Sequence, residues 1–140
     1  MKDRLTKEQR SWNMGQIKSK DTGPERIVRS LLHRMGHRFR LHEKSLPGRP
    51  DIVLPRHKTV IFVHGCFWHR HRGCRNCTTP TRNRAFWLTK LEGNAKRDKT
   101  NQRMIRMLGW RCAVVWECET EFPQGLERLR RKLGRMLLVG

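Results

Sequence analysis

A run apolar at nearly every position, Thr59 to His64 (TVIFVH), is followed at once by a loop crowded with cysteine and histidine, and the two together leave this chain few ways to fold. Continuous rather than alternating apolar character reads as a central strand buried on both faces, which needs helices above and below it. Val60 to Cys77 holds three cysteines, three histidines and the adjacent pair Phe67-Trp68. Cys66, His71 and Cys74 have the ligand types and close spacing of a structural zinc knuckle. Such sites close with a fourth protein ligand, for which Cys118, in a distant strand VVWEC, is the best candidate. Asp51, His64 and His69 are left over, and an acid with two imidazoles beside a metal-pinned loop suggests hydrolytic chemistry.

The rest of the chain supplies the helices. Thr22-Gly23-Pro24-Glu25 opens a helix whose Ile27, Val28, Leu31, Leu32 and Met35 recur at three- and four-residue spacing until Gly36 stops it. His37 to Leu41 alternates as a short strand, and a Pro/Gly-rich loop leads into a second strand, Asp51 to Leu54. Asn83 to Leu108 reads as helical, with Gly93 as a potential break; Arg111 to Cys118 reads as another buried strand, and Leu126 to Leu138 as a final amphipathic helix. The order helix, three strands, helix, strand, helix favours an α/β sandwich around a mixed sheet. Residues 1–21 read as a polar arm or short helix that would embrace DNA, and 22–140 as a single domain.

Charge narrows the partner. With 32 basic against 12 acidic residues the formal charge is +20, the electrostatic footprint of a nucleic-acid binder. No apolar segment approaches the roughly 20 residues needed to span a bilayer, and the start MKDRLTKEQR has no apolar centre, so a cytoplasmic, nucleoid-associated protein is expected. Five cysteines, an odd number mixed with histidines, then read as metal ligands rather than disulfides. Cys112, Trp110 and Trp116 read as packing residues of the last strand.

Asp51 opens one strand and His64 ends the next, so a hairpin brings them together. Pro50-Asp51 resembles the PD-(D/E)xK nuclease superfamily, although Phe62-Val63-His64 stands where that superfamily carries an acid and a lysine. The whole set LPGRPDIV, VIFVHGCFWHRH, TPTRNRAFW and LGWRCAVVWECE resembles the very short patch repair (Vsr) endonucleases, from about Trp12 to Glu119. That resemblance implies a restriction-endonuclease-like α/β/α fold and a monomeric enzyme that nicks double-stranded DNA 5′ to the thymine of a T·G mismatch, alongside mismatch-repair proteins. It implies Mg²⁺ held by Asp51 and the main-chain carbonyl of Val63, His69 as general base, and Glu25 and His64 positioning waters and phosphate. It also implies Zn²⁺ on Cys66, His71, Cys74 and Cys118, with Cys77 an alternative to Cys74, and Phe67, Trp68, Trp87 and Met14 as the wedge at the mismatch. Two rival readings stand beside it: a restriction-type enzyme cutting both strands, and a zinc-stabilised DNA-binding protein without catalysis.

Overall fold

The computed structural model describes residues 22–138. Residues 1–21, and with them the proposed arm and Met14, lie outside the described residues. Helix α1 spans Gly23–Arg34, strand β1 Arg40–Leu41, β2 Ile52–Leu54, β3 Thr59–His64, helix α2 Arg84–Met107, β4 Arg111–Trp116 and helix α3 Pro123–Met136. Single-turn 3₁₀ helices follow β2 (Pro55–His57) and β4 (Glu117–Thr120).

The sheet runs in the order β1-β2-β3-β4, antiparallel except for the parallel pair β3 and β4. Every residue of β3 is buried, as its unbroken apolar run requires. On one face, Val28, Leu31 and Leu32 of α1 and Leu129 and Leu133 of α3 cover Ile52, Leu54, Ile61, Val63, Ala113 and Val115. On the other, Ile105 of α2 packs with Val53, Val60 and Phe62, and Trp110 and Cys112 join them as packing residues. The result is the α/β/α sandwich around a mixed sheet.

Several boundaries differ from expectation, among them that of the last helix, which runs Pro123–Met136 and not Leu126 to Leu138 because Pro123 can occupy its first turn. The first strand shrinks from His37–Leu41 to two exposed residues, because only Arg40 and Leu41 find partners on β2. The last strand ends at Trp116 and alternates between exposed or half-buried and buried positions instead of being buried throughout. Cys118 therefore sits in the 3₁₀ turn after β4 and not in the strand. Gly93 does not divide α2, which runs unbroken for 24 residues with only Leu91 and Ile105 fully buried. A helix so anchored keeps its register through its neighbours rather than through its own weak amphipathicity.

Candidate active site and metal centre

The strand register assembles both sites at one end of the sheet. Antiparallel pairing of Ile52 with Ile61 sets Asp51, one residue ahead of β2, beside the end of β3, where its Oδ2 accepts a hydrogen bond from the Val63 amide at 2.7 Å. Parallel pairing of His64 with Trp116 brings Cys66 and Cys118, each two residues past that pair, to the same place. Chain direction is thus converted into a metal-type cluster: single ligand atoms of Cys66, His71, Cys74 and Cys118 lie within 4.8 Å of one another. Cys77 lies outside it.

Within this cluster His71 aims Nδ1 at two sulfurs, 3.6 Å from Cys66 Sγ and 3.5 Å from Cys118 Sγ. The loop is drawn tight by its own backbone, with the His69 amide donating to the Gly65 carbonyl at 3.0 Å and the His71 amide to the Cys66 carbonyl at 2.9 Å. Glu117 Oε1 accepts from the Cys66 amide at 2.9 Å, and the Asn76 amide donates to Cys74 Sγ at 3.4 Å. Gly125 at the start of α3 is required by a close approach, since a Cβ there would lie 2.9 Å from the Glu119 carbonyl oxygen beside Cys118. Burial, with the neighbouring sulfurs, pushes the Cys66 thiol up to about 12, against a hydrogen bond to the Cys118 backbone that lowers it. A cation held among these sulfurs reverses that balance by ionising them, and three sulfurs with one imidazole nitrogen are the donor set that suits Zn²⁺.

Beside this cluster opens a cleft of about 920 Å³, lined by Glu25, Asp51, Val63, His64, His69 and Asp98 among others, with the bases Lys44 and Arg49. The Val63 side chain belongs to the α1/α3 core, so only its backbone can serve the cleft. Glu25, 2% exposed, is held in the first turn of α1, where Thr22 Oγ1 accepts from its amide at 3.4 Å, and its Oε2 receives Arg29 at 3.1 Å. Asp51 is raised to about 7, chiefly by burial and further by Glu25, although the Val63 amide pulls it down. Two crowded carboxylates are the oxygen-donor chemistry of a hard divalent cation such as Mg²⁺. His42, within 4.8 Å of Glu25 and Asp51, completes that corner.

His69 and His64 stack face to face, with ring centroids 4.0 Å apart and planes 7° from parallel. Burial, aided by the adjacent His69, lowers His64 to about 4, so its ring is neutral at physiological pH. His69 Nδ1 lies 2.6 Å from Asp98 Oδ2. Asp98 escaped the sequence reading; its signal was being the sole acid between Glu92 and Glu117, in the basic stretch Lys96-Arg97-Asp98-Lys99. Its carboxylate favours the tautomer with hydrogen on Nδ1, leaving Nε2 to accept a proton.

The aromatic residues form a wall. Phe67 and Trp68 meet edge to face at 5.0 Å, and each lies 6.2 Å from Trp87 near the start of α2. Lys90 stands 5.9 Å from the Trp68 ring and 5.7 Å from that of Trp87. Phe86, 61% exposed, extends the wall and was not foreseen. Asn94 holds the Trp68 carbonyl at 3.2 Å, so the wall is tied to α2. Apart from Cys77, the structure thus brings together every candidate site residue that it describes, in two adjoining clusters and one aromatic patch.

An α/β/α sandwich of this kind, with its cleft at the strand ends, is the restriction-endonuclease-like class. A homing endonuclease I-Bth0305I catalytic domain superposes with a TM-score of 0.57 over 83% of this chain and 94% of that one, at 17% sequence identity, a likeness of fold. The family model for DNA mismatch endonuclease Vsr matches residues 2–76, and the chain belongs to that family. Among its relatives, a type II nicking enzyme V.XorIIP of Xanthomonas oryzae pv. oryzae is 52% identical over 95% of this chain and 98% of that protein. The DNA mismatch endonuclease Vsr of Escherichia coli is 44% identical over 84% and 75%, respectively.

Proposed function

We propose that this protein is a mismatch-specific DNA nicking endonuclease that hydrolyses the phosphodiester 5′ to the thymine of a T·G mismatch, as a monomer, in very short patch repair of deaminated 5-methylcytosine. The observation that carries the reading is the convergence of Asp51, the His69–Asp98 pair and an aromatic wall on one basic-edged cleft. The Vsr name of the matching family and the nicking-enzyme names of its relatives support it.

In this mechanism Asp51 and the Val63 carbonyl would hold Mg²⁺, which would supply Lewis-acid charge to the reaction. His69 Nε2 takes a proton from the water that attacks phosphorus while Asp98 holds Nδ1–H and steadies the imidazolium that forms; the P–O3′ bond breaks as the new P–O bond forms, and the 3′ oxygen leaves as a hydroxyl that takes its proton from water in the open cleft. Neutral His64 donates a hydrogen bond toward the phosphate, and Glu25 orients a water on the Asp51 side. Cys66, His71, Cys74 and Cys118 would hold a structural Zn²⁺, and the loop so closed keeps Phe67, Trp68 and His69 in place. Phe67, Trp68 and Trp87, with Met14 of the arm, enter the base stack, where unstacking costs less at a mispair than at a matched pair. Bacterial cytoplasm, where such DNA lies, is the expected compartment.

A labelled duplex with one T·G pair, set against matched T·A and C·G duplexes under single-turnover conditions, tests this directly. One nick in the thymine strand of the mismatched duplex alone is the expected product. Cutting of both strands would establish a restriction-type enzyme, and retention without cleavage a binding protein.

A further inference from the structure

Trp116, expected to be no more than packing, instead stands between the two clusters. Its indole stacks on His71 with centroids 4.2 Å apart and planes 8° from parallel, and meets His64 edge to face at 5.3 Å. His64 in turn stacks on His69 at 4.0 Å. Four rings, His71, Trp116, His64 and His69, therefore form one continuous series of ring contacts from the sulfur cluster to the proton acceptor, two stacked pairs joined by the edge contact between Trp116 and His64. The main chain at the middle of this series is held by contacts of its own, because the Trp116 amide donates to Glu119 Oε1 at 2.9 Å and Trp116 pairs with His64 across β3 and β4.

We infer that Trp116 is a positioning residue for the nicking reaction, transmitting the placement of the Cys/His metal centre through His64 to His69. A stacked face and an edge-to-face contact each restrict tilting, so a flat ring at 116 sets the plane of His71 by stacking and, held edge to face against His64, limits how far the stacked His64–His69 pair can turn. His69 has one further restraint, the Asp98 carboxylate, which fixes its Nδ1 but leaves the ring free to swing about that hydrogen bond; the stack removes that freedom. An aromatic ring is needed, while the indole nitrogen is not. This inference rests on the assignment of His69 as the base and of His71 as a metal ligand.

The test compares Trp116→Leu with Trp116→Phe in single-turnover nicking of a T·G duplex, with DNA affinity and zinc content measured on the same preparations. Trp116→Leu is expected to slow the nicking step by roughly ten- to hundred-fold, as expected for a displaced reacting group, while affinity changes by no more than about three-fold. Trp116→Phe should recover most of the rate. A double-mutant cycle separates this inference from the reading beneath it. If Trp116→Leu costs little more once His69→Ala is present, the effect passes through His69; an equal loss in both backgrounds overturns the inference. Full activity of His69→Ala would instead remove the base assignment. Should Trp116→Leu fold poorly or lose zinc, Trp116→Phe decides: with zinc and DNA affinity retained its rate must stay near wild type, and a rate as low as that of His69→Ala would overturn the claim that a flat ring at 116 is what positions the base.

Discussion

At the scale of single residues, Asp51 carries the sharpest consequence. Held at about 7 by burial and by Glu25, its carboxyl binds a proton in the range where the enzyme would need it for Mg²⁺. Below about pH 7 the proton competes, so half-saturating Mg²⁺ should rise as pH falls, by up to roughly ten-fold per unit, and level off above pH 7. Calorimetric titration with Mg²⁺ at pH 6 and pH 8 checks this apart from turnover; equal affinities at both would sink it. Asp51→Ala should abolish nicking while DNA binding persists, because the basic surface is untouched. Asp98 belongs to the same scale. Asp98→Asn keeps the shape but can present its amide N–H to Nδ1, which places the ring hydrogen on the nitrogen that should accept. Nicking should fall by about 10² or more with DNA affinity retained, and alkaline pH should not restore it, whereas it should partly restore His69→Ala, where hydroxide can stand in for the missing base. A rate near wild type would show that the 2.6 Å contact has no catalytic weight.

Among the elements, the 3₁₀ turn Glu117–Thr120 does most to join the parts. Its Glu117 seizes the Cys66 amide, its Cys118 enters the sulfur cluster, and Gly125 of α3 packs against the carbonyl of its Glu119. A cation there would therefore tie the β3 loop to the end of β4, a cross-link between segments about fifty residues apart in sequence. Cys74→Ser should lose zinc and lower the melting temperature, whereas Cys77→Ser should keep both, since Cys77 stands outside the cluster. Metal analysis and thermal denaturation of the two purified variants read this out, and zinc retained by Cys74→Ser but lost by Cys77→Ser would reverse the assignment. Sequence alone left Cys74 and Cys77 open because both lie in a loop with no periodic pattern. The choice depends on the left-handed turn at Gly73 (φ 80°) and the sharp Cys74–Cys77 turn, which only the folded backbone displays.

For the molecule as a whole, the sandwich was legible because β3 is apolar at nearly every position and α1 and α3 carry plain helical spacing, so layer order followed from burial alone. Asp51, His64 and His69 were legible because a hairpin and a short loop bring them together locally. Asp98, His42 and the role of Trp116 were not, since each reaches the site through contacts between elements that no spacing encodes. The charge of +20 acts at this scale too. If about six phosphates are neutralised, affinity for DNA should fall by roughly 10³ between 50 and 200 mM salt, measured by fluorescence anisotropy, and a flat profile would speak against phosphate contacts as the source of binding. The unbroken α2 has a consequence of its own. Trp87 and Asp98 ride on it eleven residues, about 16 Å, apart, so if Trp87 parts the bases and Asp98 holds the base at the scissile bond, as proposed, the helix would be a ruler that fixes the distance between those two places. One alanine inserted between Leu88 and Arg97 would lengthen that ruler by about 1.5 Å and rotate one end by about 100° against the other. Mapping the nicked bond in that variant should reveal cleavage lost or displaced along the strand, and a nick left unchanged in place and rate would show that the spacing is set elsewhere.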